Sequence, residues 1–140
     1  GDDYVDIIGL DNYWDLGHPA NKTPKEEQEK LFVKSLTGLV QIADSLNKIA
    51  ALTESGFEGI PNEKWWTEVL GTNINANDYT KRIARVLTWR NANKEKFGDG
   101  DHFYASPPNH KSAPNMKAFR DMELFMFEDE LPSMYTFPKR

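Results

Sequence analysis

The 140-residue chain contains no cysteine, which removes disulfides, thiolate nucleophiles and cysteine-bound zinc together. It also lacks any apolar run near the roughly 18 residues that a membrane-spanning helix needs, so no membrane span is expected. Cationic residues are in the minority: 17 Lys and Arg stand against 22 Asp and Glu, giving a net charge of −5 and a pI near 5.2. With no basic stripe to offset this, nucleic acid and anionic membranes are not expected as partners, because both require a cationic face to release counterions. The three histidines, His18, His102 and His110, fall in loop-like sequence with no mate four residues away, so neither a metal site nor a cofactor is expected.

What the chain does have is aromatic side chains, 12% of residues with four Trp, in a sequence whose mean hydropathy is a polar −0.69. Rings left exposed in such a chain suit stacking on a flat ligand. An apolar content of 39% and a charged content of 28% are ordinary for a soluble domain, and the length suits one. No repeat or low-complexity tract divides it, and residues 1–140 read as a single module.

The organising stretch is Lys48-Ile49-Ala50-Ala51-Leu52-Thr53-Glu54-Ser55-Gly56-Phe57, an apolar run of strand length ending in one carboxylate. A continuous run without alternation predicts a strand buried on both faces, as in a parallel sheet covered by helices. The carboxyl end of such a strand is where open α/β folds and barrels place their chemistry. Glu54 is therefore a candidate nucleophile, base or ligand, with a turn cap or an ion-pair partner as the plainer alternative.

Ahead of it, Tyr4 to Leu10 predicts a first strand that ends in the polar and aromatic cluster Asp11-Asn12-Tyr13-Trp14-Asp15. Thr23-Pro24-Lys25-Glu26 has the form of a capping box with Pro at the first helical position. A long helix should follow, packing Leu31, Phe32, Leu36, Leu39, Val40, Ala43 and Leu46 on the sheet and turning Lys25, Glu29 and Lys34 outward. Strand, helix and strand in this rhythm make a βαβ unit with parallel strands. A second helix is expected around Trp65, Trp66, Val69 and Leu70, with one of the adjacent indoles in the core and the other at a loop or cleft margin. Gly71 to Asp78 reads as a connection, with a helical turn near Tyr79 to Arg82. Arg85 to Asn91 predicts a third strand, again ending in aromatic and polar residues, Trp89 and Arg90. A long loop from Ala92 to Lys111 precedes a last helix opened by Ser112-Ala113-Pro114 and running to about Glu128. The fold class is α/β, a three-stranded parallel βαβαβα module, and three units do not close a barrel.

Three successive strands thus present Asp11, Tyr13 and Trp14, then Glu54, then Trp89 and Arg90 at one end, and a single convergent site accounts for all of them. Asp11-Asn12-Tyr13, Thr53-Glu54-Ser55-Gly56 and Thr88-Trp89-Arg90-Asn91-Ala92, in that order and with helices between, resemble the last three strands of the (β/α)8 barrel of glycoside hydrolase family 26. The best-known members of that family are endo-β-1,4-mannanases, and the resemblance runs from about Tyr4 to Tyr135. It implies a retaining mechanism in which Glu54 matches the nucleophile and Tyr13 the tyrosine that hydrogen-bonds it. It further implies that Trp89 lies beneath the sugar at the −1 subsite and that Arg90 helps to hold the −2 sugar. Asp11 becomes a hydroxyl-binding candidate or a partner of Arg90, and Trp14 either stacks on sugar or backs Tyr13. Glu58 is expected to be solvated or to pair within a loop, Asn91 to orient Arg90 or the loop, and His102-Phe103-Tyr104 to pack in the long loop or line further subsites.

A retaining glycosidase needs a second carboxyl group about 5–5.5 Å from the nucleophile, supplied in this family by strand four. By the resemblance that strand lies outside these residues, and a barrel norm of roughly 250 residues leads us to expect a C-terminal portion, inactive by itself. The expected partners are β-mannan or a related β-1,4-glycan, together with the N-terminal part of the barrel or a second copy at the open strand edges. The resemblance also implies a secreted, periplasmic or cell-surface protein. Two alternatives stay open: a β-glucanase or xylanase of the same family, and a non-catalytic glycan-binding or assembly module.

Overall fold

The structure is a computed structural model that describes residues 1–92 and 102–132. A short 3-10 turn at Asp2–Tyr4 precedes β1 (Ile7–Asn12), α1 (Lys25–Ser45) and β2 (Ile49–Ser55). A π-helical segment, Trp65–Gly71, then runs into one turn of α-helix, α2 (Thr72–Ile74), and a 3-10 turn at Thr80–Arg82 leads to β3 (Val86–Thr88). The last helix, α3, spans Ala113–Arg120. The three strands form one parallel sheet in the order β1-β2-β3, so the expected α/β module is the observed one. Among the described residues, no helix is long and apolar enough to cross a membrane.

Helix α1 packs on β1 and β2 through Phe32, Leu36, Leu39, Val40 and Ala43, all buried. The two ends of the expected stripe differ: Leu31 and Leu46 are exposed, while Gln28 and Phe32 are the buried positions of the helix's N-terminal turns. The capping box is also absent. Pro24 is the N-cap and Thr23 makes no side-chain cap; instead Gln28 Nε2 donates to the Thr23 carbonyl at 2.7 Å, and Asn21 Oδ1 accepts from the Thr23 amide at 3.0 Å. The two carboxamides thus fix the chain's entry into the helix without capping its first-turn amides.

Strand β1 begins three residues later than Tyr4, which belongs to the preceding 3-10 turn, and it extends through Asn12. In β1, Ile8 and Leu10 pack on the helix side while Ile7, Gly9 and Asp11 are exposed on the other. Strand β2 is buried on both faces only over Ala50–Leu52; Ile49 and Thr53 are open, so the expectation of full two-sided burial is corrected. The described residues set their helices against one face of the sheet, which leaves these positions uncovered.

The adjacent indoles correct another expectation, since Trp65 and Trp66 are both buried, at 1% and 2% exposure, with rings at 81°. Trp65 Nε1 donates to the Leu16 carbonyl at 2.9 Å, and Trp66 Nε1 to Ser106 Oγ at 2.9 Å. The wider π turn brings consecutive side chains closer in direction, and Phe119 of α3 with Ser106 covers the second ring that α-helical reasoning left at a margin. Helical structure also continues through Gly71 to Ile74, where a connection was expected. Helix α3 stops at Arg120 instead of about Glu128. Arg120 then reaches back to Asp129 and Glu130, at 2.8 and 3.0 Å, on a 3-10 turn at Glu128–Glu130.

Candidate active site

At the carboxyl ends of the strands the register breaks once. Leu10 pairs with Leu52 but Asp11 with Glu54, so Thr53 is an extra residue in β2. The same irregularity separates the pairs Leu52 with Val86 and Ser55 with Thr88 on the other side. Strict alternation would turn Glu54 to the side of buried Leu52, beneath the helices. The bulge re-aims it, as bulges beside functional sites commonly do, and Thr53 and Glu54 both keep access to the open side. Thr53 Oγ1 donates to Asp11 Oδ1 at 2.8 Å, and its side chain lies over Gly9, where a Cβ would come within 2.5 Å of it. Gly9 therefore makes room for the bulge.

Tyr13 follows β1 directly and caps a 3-10 turn, Trp14–Leu16. Asn12 builds that turn by accepting from the Asp15 amide and donating to the Asp15 carboxylate, each at 3.0 Å. From there the Tyr13 hydroxyl donates to Glu54 Oε2 at 3.0 Å. Burial first, and then the Glu54 carboxylate beside it, push the Tyr13 phenol well above the usual tyrosine range. It remains a hydrogen-bond donor at any ordinary pH.

Ser55, fully buried, donates through Oγ to the Leu87 carbonyl at 2.8 Å, while its own carbonyl accepts from the Trp89 amide at 2.9 Å. The backbone of Trp89 is thereby fixed next to Glu54, and its partly exposed ring has the Arg90 guanidinium 6.0 Å from its centroid. Asn91 ties down the far loop: its Oδ1 accepts from the Tyr104 and Ala105 amides, both at 2.9 Å, and its Nδ2 donates to the Ala105 carbonyl. Glu58 pairs with His102 at 2.6 Å, so loop pairing is the observed role of both Asn91 and Glu58.

The geometry joins Tyr13 to Glu54 directly, sets Asp11 opposite Glu54 in the register, and places Trp89 and Arg90 on the next strand end. Trp14 is 52% exposed, and its ring is stacked on His18 with centroids 5.2 Å apart. Sequence reasoning named Thr53 and Ser55 only as part of the strand-end motif and Tyr104 only as packing in the long loop or lining further subsites, and gave none of them a place beside Tyr13 and Glu54. Tyr104 touches the Tyr13 ring edge-on, with centroids 5.8 Å apart. The available signal was Gly56, a glycine two residues after the strand-end carboxylate, which marks a close approach by another group.

No family model matches the sequence. Solved structures similar to the chain include a β-mannanase of glycoside hydrolase family 26 from Bacteroides ovatus, at 30% identity and a TM-score of 0.72, covering 99% of this chain and 37% of that one. A modular endo-β-1,4-mannanase from Cellulomonas fimi is similar at 27% identity and a TM-score of 0.74, over 94% of this chain and 28% of that one. The catalytic domain of an endo-β-1,4-mannanase from a Bacillus species follows at 28% identity and 0.72, over 93% and 34%. The chain thus spans well under half the length of each, and its three parallel strands with their helices are part of a TIM-barrel fold. With nearly the whole chain superposing on enzymes of one family, it belongs to glycoside hydrolase family 26 as a portion of that fold.

Proposed function

We propose that this chain carries the nucleophile side of a retaining endo-β-1,4-mannanase, with Glu54 as nucleophile. The observation that carries the reading is the 3.0 Å hydrogen bond from Tyr13 to Glu54 across the ends of two parallel strands. A glycosidase nucleophile must be ionised and held still, and a phenol that keeps its proton serves both needs. In the first step a Glu54 oxygen forms an ester bond to the anomeric carbon while the glycosidic C–O bond breaks. The departing oxygen takes a proton from a second carboxylic acid. Water, deprotonated by that same group, then cleaves the ester and restores Glu54.

In this reading Trp89 offers its indole face to the −1 sugar and Arg90 its planar fork to hydroxyls at −2. Asp11, held by Thr53 opposite Glu54, binds hydroxyl groups, and the exposed Trp14 face adds stacking area farther out. Residues 1–140 would be strands six to eight, and the acid/base residue would come from strand four of the N-terminal part. β1 and β3 would then be the edges where barrel neighbours pair. Left open, such edges recruit other chains, so the isolated chain should self-associate; a monodisperse monomer by light scattering at high concentration would count against that.

The deciding experiment uses the complete enzyme. Glu54→Gln should retain mannan binding and abolish turnover, because shape persists but no glycosyl ester can form. Activity within about tenfold of the unsubstituted enzyme would remove Glu54 from this role. Parallel assays on mannan, β-glucan and xylan decide the glycan, and glycan binding by the barrel without any turnover would favour a non-catalytic module.

A further inference from the structure

Gly56 adopts φ of +143°, and a Cβ placed there would come 2.5 Å from Tyr104 Cδ1. The Tyr104 ring therefore rests on the backbone just past Glu54, at a spot only glycine leaves vacant. The same ring meets that of Tyr13 edge to face at 70°. The segment that delivers Tyr104 is fastened from both neighbouring strand ends. From the β2 side, the Gly59 amide donates to the Phe103 carbonyl at 2.8 Å, and the Glu58 carboxylate, which can only accept, takes a hydrogen bond from His102 Nδ1 at 2.6 Å. From the β3 side, the Ala92 amide donates to the His102 carbonyl, and Asn91 accepts from the Tyr104 and Ala105 amides and donates to the Ala105 carbonyl. The His102 ring stands perpendicular to that of Tyr104 at 5.6 Å. So much anchoring for one side chain, aimed at another that touches the carboxylate, is more than loop packing requires.

We propose that Tyr104 is a positioning residue: its ring, strapped over Gly56, backs the Tyr13 ring and keeps the Tyr13 hydroxyl on Glu54. The contact uses the ring of Tyr104 and not its hydroxyl. Among the described residues that hydroxyl has no hydrogen-bond partner, so the conservative variant Tyr104→Phe should act like the native residue. The consequence for catalysis rests on the reading of Glu54 as nucleophile, whereas the placement of Tyr13 does not.

The test is a cycle read at Tyr13 itself. Tyrosine labelled with 13C at Cζ is incorporated into the 140-residue chain, and the Tyr13 signal is identified as the one missing in Tyr13→Phe. Glu54→Gln should displace that signal, because the acceptor of its hydrogen bond changes. In a Tyr104→Ala background the displacement should shrink by at least about twofold, and in Tyr104→Phe it should be retained, since coupling is lost only where the intermediary is removed. Should Tyr104→Ala fail to fold, Tyr104→Leu keeps apolar bulk over Gly56 without the flat ring and is expected to shrink the displacement too. An undiminished displacement in either variant overturns the proposal, as does its loss in Tyr104→Phe. In the complete enzyme, Tyr104→Ala should lower kcat on the order of tenfold with little change in KM, and should have no further effect once Tyr13→Phe is present. An effect that multiplies with that of Tyr13→Phe overturns the proposal. Mannan turnover surviving Glu54→Gln would instead defeat the nucleophile reading, and the Tyr13 signal would still decide the role of Tyr104.

Discussion

The Tyr13 hydroxyl donates to Glu54 Oε2 at 3.0 Å, joining residues 41 positions apart in the chain. Burial and the neighbouring carboxylate together hold Tyr13 protonated above the ordinary phenol range. A phenol with a folded pKa above its unfolded value of about 10 contributes stability that is fully present below about pH 10 and is lost as pH climbs toward the folded value. Unfolding free energy should therefore decline above about pH 10, by up to ~1.4 kcal/mol per pH unit for each such proton. Tyr104 is raised as well, by burial and then by Glu58, so Tyr13→Phe should flatten the decline without abolishing it. Urea unfolding at stepped pH measures this, and identical slopes in the two proteins would show that Tyr13 ionises as freely folded as unfolded.

Two glycines should respond in opposite directions to the same change. Gly56→Ala places a Cβ at positive φ and into Tyr104, and the backbone strain alone costs about 1–3 kcal/mol. Gly38 lies within α1 and a Cβ there meets nothing within 4 Å. Gly38→Ala should accordingly stabilise the chain by ~0.5–1 kcal/mol, the usual helix-interior difference. Denaturant midpoints of the pair read both, and a destabilising Gly38→Ala would mean that α1 packs against something at that position.

How much of this was legible beforehand depends on the range of the cause. The ends of the apolar runs mark the strand ends, so Glu54, Trp89 and the cluster after Leu10 could be placed from the sequence. The α1 stripe was legible because its 3.6-residue period is local. The bulge at Thr53 was not, because it exists only in the register between strands, where Asp11 meets Glu54 in place of Thr53. Nor was the burial of Trp66, which depends on Ser106 and Phe119, both far along the chain, and on a π-helical backbone that periodicity does not foresee. The expectations that fall on residues 93–101 of the long loop and on residues 133–140 of the tail lie outside the described residues.

Trp89 and Arg90 should separate by substitution in the complete enzyme. Trp89→Ala is expected to weaken mannan binding and catalysis together by about 2–3 kcal/mol, given the apolar area an indole covers. Arg90→Lys keeps the charge but loses the planar fork, so its cost should exceed what charge alone implies. Steady-state kinetics on mannan check both. Unaltered kinetics in Trp89→Ala would place the stacking platform elsewhere, with exposed Trp14 the next ring to test.

The remaining prediction concerns this chain by itself. If Glu54 is the nucleophile and its acid partner belongs to another strand of the barrel, as proposed, attack on an anomeric carbon here needs the leaving alkoxide to depart unaided, and loss of a general acid costs about 10²–10⁴ in rate. The neighbours it resembles extend well beyond the matched residues, which cover 28–37% of their lengths. Most of the cleft that distorts the −1 sugar would then also be missing, and the two losses should compound. An aryl mannoside with a good leaving group relieves the first loss but not the second. The purified chain should therefore hydrolyse neither mannan nor the aryl mannoside, and activity should return only when the N-terminal part of the barrel is supplied in cis or as a complementing fragment. Mannan turnover that follows the chain through purification and disappears in Glu54→Gln would mean that the second carboxyl group is already present. Asp11, opposite Glu54 in the register, would be the first to substitute, and Glu58, engaged with His102, the second.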